Sequence, residues 1–325
     1  MPVTPQIGRI SEFLLELYRD ARVQQPNTFQ YNTLSHLRTF VPFDFAAWGG
    51  GAADSRQVTD VVMLDQSPGL FTEWSAVAAV DGYCDLALRR LNHTVLFDDV
   101  PNFRRSAAYN EHWRRFDAKN MVATIMAEPV DGYVSFVGLC SGDTSLVYGE
   151  AERRCKQLLM PHVSAALRLS RDSQVLFAGA PEEGVALVDQ AGFVLASRRP
   201  FAWLVSEEWG EINGRVPAGI LPPRPRTASW RGHSIQIRIE RLGHHYLLRA
   251  RPRSPLDDLT PRELEVTEQF ARGLSYKEVA SELAIAPSTV RNHLAGIYDK
   301  LGVRDKAELA GLVHEADGPN GKSRR

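Results

Sequence analysis

Hydrophobic residues recur with helical spacing at two places in the first half of the chain. Near the start, Ile10, Leu14, Leu17 and Tyr18 fall on one face and predict an amphipathic helix. The stretch EAERRCKQLLMPHVSAALRLS at 150–170 predicts a long helix with a kink at Pro161. The acidic residues within the first pattern favour a helix of the folded protein over a signal peptide.

Strand patterns lie between these two helices. The stretch 43-FDFAAW-48 is followed by Gly49-Gly50-Gly51, which predicts a strand that ends in a turn. The stretch 121-MVATIMAEPVDGYVSFVGLC-140 predicts two strands joined around Asp131-Gly132. Helices flanking central strands predict an α/β domain over residues 1–172.

A shorter unit is predicted over residues 173–253. Two short strands in 184-GVALVDQAGFVLAS-197 precede a helical pattern at 198–210. In 234-SIQIRIERLGHHYLLRAR-251, Ile235, Ile237 and Ile239 alternate with polar residues, which predicts a strand with its isoleucines inward. A turn at Gly243-His244 and a second strand complete the unit.

Helix start signals dominate residues 254–317. Thr260 and Glu263 form a capping box, and Ser275 and Glu278 form another. Pro287 opens a third helix, and a fourth is predicted over about 305–315. Two short helices joined by a three-residue turn are typical of a helix-turn-helix. Residues 251–258 are predicted to form a linker, and residues 318–325 a disordered tail.

The third helix has one face suited to a DNA groove. Its hydrophobic positions must face the core: Val290, Leu294, Ile297 and Leu301. The opposite side exposes Arg291 and Asn292, and residues 286–298 contain no acid. Arg291 can make bidentate contacts to guanine and Asn292 to adenine. The alternative is a helix face that only contacts solvent.

The stretches LTPRELEV and ARGLSYKEVASELAIAPSTVRNHLAGIYDKLGV resemble the LuxR-type helix-turn-helix family of bacterial transcription regulators. The resemblance implies double-stranded DNA as a partner, with base contacts from Arg291, Asn292 and Ala295. It implies phosphate contacts from Lys277, Thr289, His293 and Lys300. It also implies a homodimer on a pseudo-palindromic site, joined by Leu309, Leu312 and Val313 of the fourth helix. The alternative is that the fourth helix only packs against the first helix of this domain. Two positions depart from the family pattern, Tyr276 for Asn and Ala286 for Ser.

The two front units have weaker resemblances. The order of elements over 1–172 is similar to a GAF-like domain, and "ALVDQAGFVL" is similar to part of a shortened PAS domain. The predicted fold class is therefore multidomain α+β: a GAF-like α/β sensor, a PAS-like module and a four-helix LuxR-type end. No receiver-domain pattern, P-loop or GxGxxG is present, so small-molecule sensing is the function expected of the front.

Aromatic side chains are the candidates for an effector pocket, because they combine apolar surface with polar tips. They are Trp48, Trp74, Tyr83, Phe103, Tyr109 and Trp113. The alternative is that the last three, with Phe116, only form core. Tyr83 and Asp85 are faintly similar to an acyl-homoserine-lactone sensor, but no Asp-Pro follows and the tryptophan spacing differs, so that ligand is rejected.

Catalysis and metal binding are not expected. His93, Asp98, Asp99 and the Glu111-His112 pair lack the spacing of a metal or acid–base site. We therefore predict no enzyme, metal or cofactor. The three widely spaced cysteines indicate a reducing compartment, and no apolar run is long enough to span a bilayer, so a cytoplasmic protein without membrane contact is expected.

Charge is unevenly distributed although the net charge is only −1. Residues 221–253 hold eight arginines against one acid, whereas 256–317 hold seven Lys/Arg against twelve Asp/Glu. We expect the arginine-rich segment to dock on the acidic end in a resting state; the alternative is that it touches DNA. A second hypothesis for the whole front half is a protein–protein interaction module that binds no effector.

Overall fold

A computed structural model describes residues 3–179, 183–217, 219–221 and 227–317. The chain divides into two compact units. The first comprises Met1–Arg231 and Ile235–Arg251, and the second comprises Gly232–Ser234 and Pro252–Arg325. The predicted tail at 318–325 lies outside the described residues, as do Arg224 and Arg226 of the arginine-rich segment.

The first half of the first unit is an antiparallel sheet of five strands between layers of helices. The strands are β1 Phe45–Ala52, β2 Val58–Leu64, β3 Thr94–Leu96, β4 Asn120–Ala127 and β5 Tyr133–Ser141. The helices are α1 Val3–Val23, α2 Pro26–Leu37, α3 Gly69–Trp74, α4 Gly82–Arg89 and α5 Glu150–Leu176. The spatial order is β2-β1-β5-β4-β3, and the predicted hairpin of β4 and β5 is confirmed.

The turn predicted at the three glycines is wrong, because β1 continues through them to Ala52. A Cβ on Gly50 would lie 2.1 Å from the hydroxyl oxygen of Tyr133, and one on Gly51 would lie 2.0 Å from the carbonyl oxygen of Gln57. Neighbouring groups occupy the space of a side chain. These glycines therefore serve close packing within the sheet, not a reversal of the chain.

The two faces of this sheet pack against different elements. Helices α1, α2 and α5 cover one face, where the Trp48 and Phe29 rings meet with centroids 5.8 Å apart. Helix α5 continues through Pro161 for 27 residues. Helices α3 and α4 and the segment 97–118 cover the other face, where the cluster is rich in aromatic rings. Residues 108–113 form a turn of π-helix there.

The second half of the first unit holds another five-stranded antiparallel sheet. Its elements are β6 Gly184–Val188, β7 Val194–Ser197, α6 Arg199–Trp209, β8 Thr227–Arg231, β9 Ile235–Leu242 and β10 His245–Pro252. The order β7-β6-β10-β9-β8 repeats that of the first sheet when strands are counted within each module. Ile235, Ile237 and Ile239 are at most 2% exposed, which confirms their inward direction.

Buried polar groups join the two sheets. His245 Nε2 of β10 lies 2.9 Å from Asp60 Oδ2 of β2, and both side chains are almost wholly buried. Thr59 donates a hydrogen bond to the carboxylate of Asp189, which follows β6. Burial alone would raise the pKa of Asp60, but His245, together with Arg171 and His244, outweighs burial and lowers this pKa.

The second unit is helical: α7 Pro261–Ala271, α8 Tyr276–Glu282, α9 Pro287–Leu301 and α10 Lys306–Asp317. Both predicted capping boxes are present, at Thr260 and at Ser275. The predicted multidomain α+β class is confirmed. Among helices of the described residues, none has both the length and the apolar character needed to cross a membrane.

Candidate functional site

Helix α9 presents an exposed surface because its hydrophobic side is fixed in the core. Val290 and Ile297 are fully buried. Arg291, Asn292 and Ala295 are exposed on the side that faces away. The turn before α9 bends through Ala284, which has a left-handed φ of 51°.

The cationic and polar side chains around this surface differ in solvent exposure and in their contacts. Lys277 is exposed at the start of α8, and Thr289 and His293 are half-buried on α9. The Arg291 guanidinium lies 5.3 Å from the centroid of the Tyr276 ring. The structure thus brings the sequence-predicted DNA residues together on two adjacent helices.

Lys300 is already engaged within the second unit. Its Nζ lies 2.7 and 2.8 Å from the two carboxylate oxygens of Glu263. The hydrogen bond from Lys300, with those from Thr260, lowers the pKa of Glu263 to about 2. A phosphate contact by Lys300 would therefore compete with this ion pair.

Of the three residues predicted to form a dimer contact on helix α10, one is buried and two are partly exposed. Leu309 is 0% exposed and belongs to the core that α7 and α9 share. Leu312 and Val313 are half-buried. A contact with a second copy would have to use these two residues and their exposed neighbours.

A cavity of about 100 Å³ lies on the aromatic face of the first sheet. Trp74, Tyr83 and Trp113 are among its lining residues. Phe103 and Tyr109 belong to the same hydrophobic cluster but do not line it, and Trp48 lies on the opposite face of the sheet. The lining is almost entirely apolar.

Asp81 and Arg56 are charged residues among those that line this cavity, and sequence reasoning missed Asp81. Asp81 is 0% exposed. The indole nitrogens of Trp74 and Trp113 donate to one carboxylate oxygen at 2.9 and 2.8 Å. The backbone N–H groups of Tyr83 and Cys84 donate to the other at 2.9 and 3.2 Å, so Asp81 caps α4. The available signal was an aspartate directly before Gly82 at a helix start.

The residues weighed for metal or acid–base chemistry are dispersed. Asp99 pairs with Arg153, and Asp98 pairs with Arg104. Burial lowers the pKa of His112 to about 4, so its imidazole is neutral near pH 7. Among the described residues, no group of three or more His, Cys, Asp or Glu side chains could hold a metal ion.

Comparison with known proteins agrees with the fold of the second unit. Residues 257–313 match the family described as "Bacterial regulatory proteins, luxR family". The chain is 48% identical over 54 residues to the transcriptional regulatory protein UhpA of Escherichia coli, which is 17% of this chain and 28% of UhpA. It is 47% identical over 53 residues to LnrK of Bacillus subtilis, 16% of this chain and 24% of LnrK.

These findings define the C-terminal domain as a LuxR-family helix-turn-helix, which confirms the resemblance seen in the sequence. The chain spans about a quarter of the length of these curated relatives. Both relatives are named as transcriptional regulators and neither as an enzyme.

Solved structures align with longer parts of the chain at low similarity. Escherichia coli SdiA covers 94% of this chain and 96% of its own, with 11% identity and a TM-score of 0.37. A GAF domain of a phosphoenolpyruvate-protein phosphotransferase from Coxiella burnetii covers 50% and 95%, with 10% identity and a TM-score of 0.35. Scores this low do not assign the first unit to either fold family.

Proposed function

We propose that this protein is a sequence-specific, dimeric DNA-binding transcriptional regulator without enzymatic activity, acting in the cytoplasm where bacterial DNA lies. One observation carries the proposal: the exposed, acid-free face of α9 presents Arg291 and Asn292 within a LuxR-family domain. Arg and Asn side chains on a recognition helix match the donor and acceptor patterns of guanine and adenine in the major groove. Lys277, Thr289 and His293 flank this face and are suited to phosphate contacts.

Replacing Arg291 or Asn292 with alanine is expected to weaken binding to the preferred site by about 5- to 150-fold, because each bidentate base contact is worth ~1–3 kcal/mol. The preferred site is first selected from random duplexes with the full-length protein. Affinities are then measured on that site and on a scrambled duplex. Arg272→Ala, an exposed arginine at the end of α7, is the matched control. Equal losses on both duplexes would contradict base reading.

We also propose that a small, mainly apolar effector binds the cavity beside Asp81. The support is a mainly apolar lining that also includes the hydrogen-bonded carboxylate of Asp81 and the side chain of Arg56. Small-molecule sites commonly combine a hydrophobic lining with a few polar groups. Native mass spectrometry of the full-length protein is expected to show a non-covalent mass excess that disappears on denaturation. The same spectrum gives the oligomeric state, where we expect a dimer joined through Leu312 and Val313.

The second candidate is a front half that binds a partner protein and no effector. A dimer without mass excess, whose stability also stays unchanged across a set of apolar ligands, would favour this candidate. The arginine-rich segment remains proposed as a docking partner of the acidic domain, with contact to DNA as the alternative.

A further inference from the structure

The ring of Tyr276 lies against the arginine proposed to read a base. Tyr276 is the first residue of α8, and its ring is half-buried against the core of the second unit. The guanidinium of Arg291, on α9, lies 5.3 Å from the ring centroid. A cation at this distance from a tyrosine face is attracted by the ring quadrupole.

We propose that Tyr276 is a specificity-determining positioning residue, which holds the Arg291 guanidinium in the orientation needed to read one base pair. The inference rests on the proposed DNA-binding function. It adds a role for Tyr276, which would make no base contact of its own. Tyr276 acts through Arg291, and its ring is the group that matters.

The local structure keeps this ring in place. Ser275 and Glu278 cap α8 reciprocally: Glu278 accepts from Ser275 N–H at 2.7 Å, and Ser275 accepts from Glu278 N–H at 3.4 Å. The backbone at Tyr276 is therefore anchored on both sides. A tyrosine has only two side-chain torsions, so core packing leaves the ring little freedom.

Arg291 depends on this ring for its orientation. In the described part of the chain, the guanidinium makes no ion pair or side-chain hydrogen bond, and no acid lies within residues 286–298. An exposed arginine without a partner samples many rotamers, and this freedom is lost when it docks on guanine. Stacking on Tyr276 restricts the rotamers before DNA arrives.

The test uses full-length Tyr276→Phe and Tyr276→Leu, alone and combined with Arg291→Ala. Affinity is measured on the selected site and on every single-base-pair variant of it. Tyr276→Phe keeps the ring and is expected to retain full discrimination. Tyr276→Leu is expected to lose about 2- to 5-fold of discrimination at the one base pair that Arg291→Ala also affects. In the Arg291→Ala background, Tyr276→Leu is expected to add no further loss there.

Three results would overturn the inference. Additive losses in the double variant would show that Tyr276 acts independently of Arg291. A uniform loss on all duplexes, shared by Tyr276→Phe and with a shallower salt dependence, would assign the hydroxyl to a phosphate. Unchanged discrimination in a folded Tyr276→Leu would exclude positioning. Absence of any sequence preference in the wild type would instead contradict the proposed function itself. Melting curves of each variant establish that the second unit is folded.

Discussion

Replacing His245 with alanine is expected to destabilise the first unit by about 3 kcal/mol, because it removes the hydrogen-bond partner of a buried carboxylate. One oxygen of the Asp60 carboxylate already lacks a hydrogen-bond partner, and the substitution would remove the imidazole that lies 2.9 Å from the other. Asp60 lies on β2 and His245 on β10, so the loss falls on the contact between the two sheets.

Urea unfolding followed by tryptophan fluorescence measures this effect in the intact protein. All six tryptophans precede residue 231, so their emission reports on the first unit. The neighbouring His244→Ala is the matched control, since that side chain is exposed. Equal midpoints for His245→Ala and His244→Ala would show that the buried pair adds no stability.

Replacing Asp81 with alanine is expected to cost about 4 kcal/mol, since it leaves three buried donors and one partly buried donor without an acceptor. Asp81→Asn keeps the size and one carbonyl oxygen, so it should cost less. The measurement is again the urea midpoint of the first unit. Arg89→Ala is the control, because Arg89 lies on the same helix and is exposed. An Asp81→Ala midpoint equal to the control would contradict a structural role for the indole hydrogen bonds.

These two sites lie close together along β2. Val58 lines the cavity, and the next two residues, Thr59 and Asp60, contact the second module through Asp189 and His245. An effector that displaced Val58 would therefore act on a strand that also carries the junction between the sheets. This arrangement would give the proposed effector a direct physical route to the second sheet.

Much of the second unit could be predicted because its signals are local. Each capping box joins residues three apart, and helical periodicity alone places Arg291 and Asn292 opposite Val290 and Ile297. The luxR-family match covers the same stretch. Tyr276 stood out as a departure from the family pattern, but its stacking on Arg291 depends on how α8 packs against α9.

The first unit was harder to predict because its key contacts join distant residues. The pair of Asp60 and His245 spans 185 positions, and no local pattern marks either residue. The three consecutive glycines of β1 predict a turn, but Tyr133 and Gln57 occupy the space that side chains at Gly50 and Gly51 would need. Likewise, the sequence does not distinguish Trp48 from Trp74 as a pocket residue. The structure places them on opposite faces of the sheet, and Trp74 lines the cavity.

The sequence by itself determined the helix-turn-helix, the exposed, acid-free face of its α9 helix and the presence of two mixed α and β modules before it. Helix capping, periodicity and strand alternation act over a few residues. Tertiary structure alone decided which aromatic residues surround the cavity, that Asp81 accepts from two of them, and that Lys300 is held by Glu263. The physical reason is that burial and the pairing of charges depend on which elements pack against each other. Local sequence patterns do not specify the contacts between distant elements.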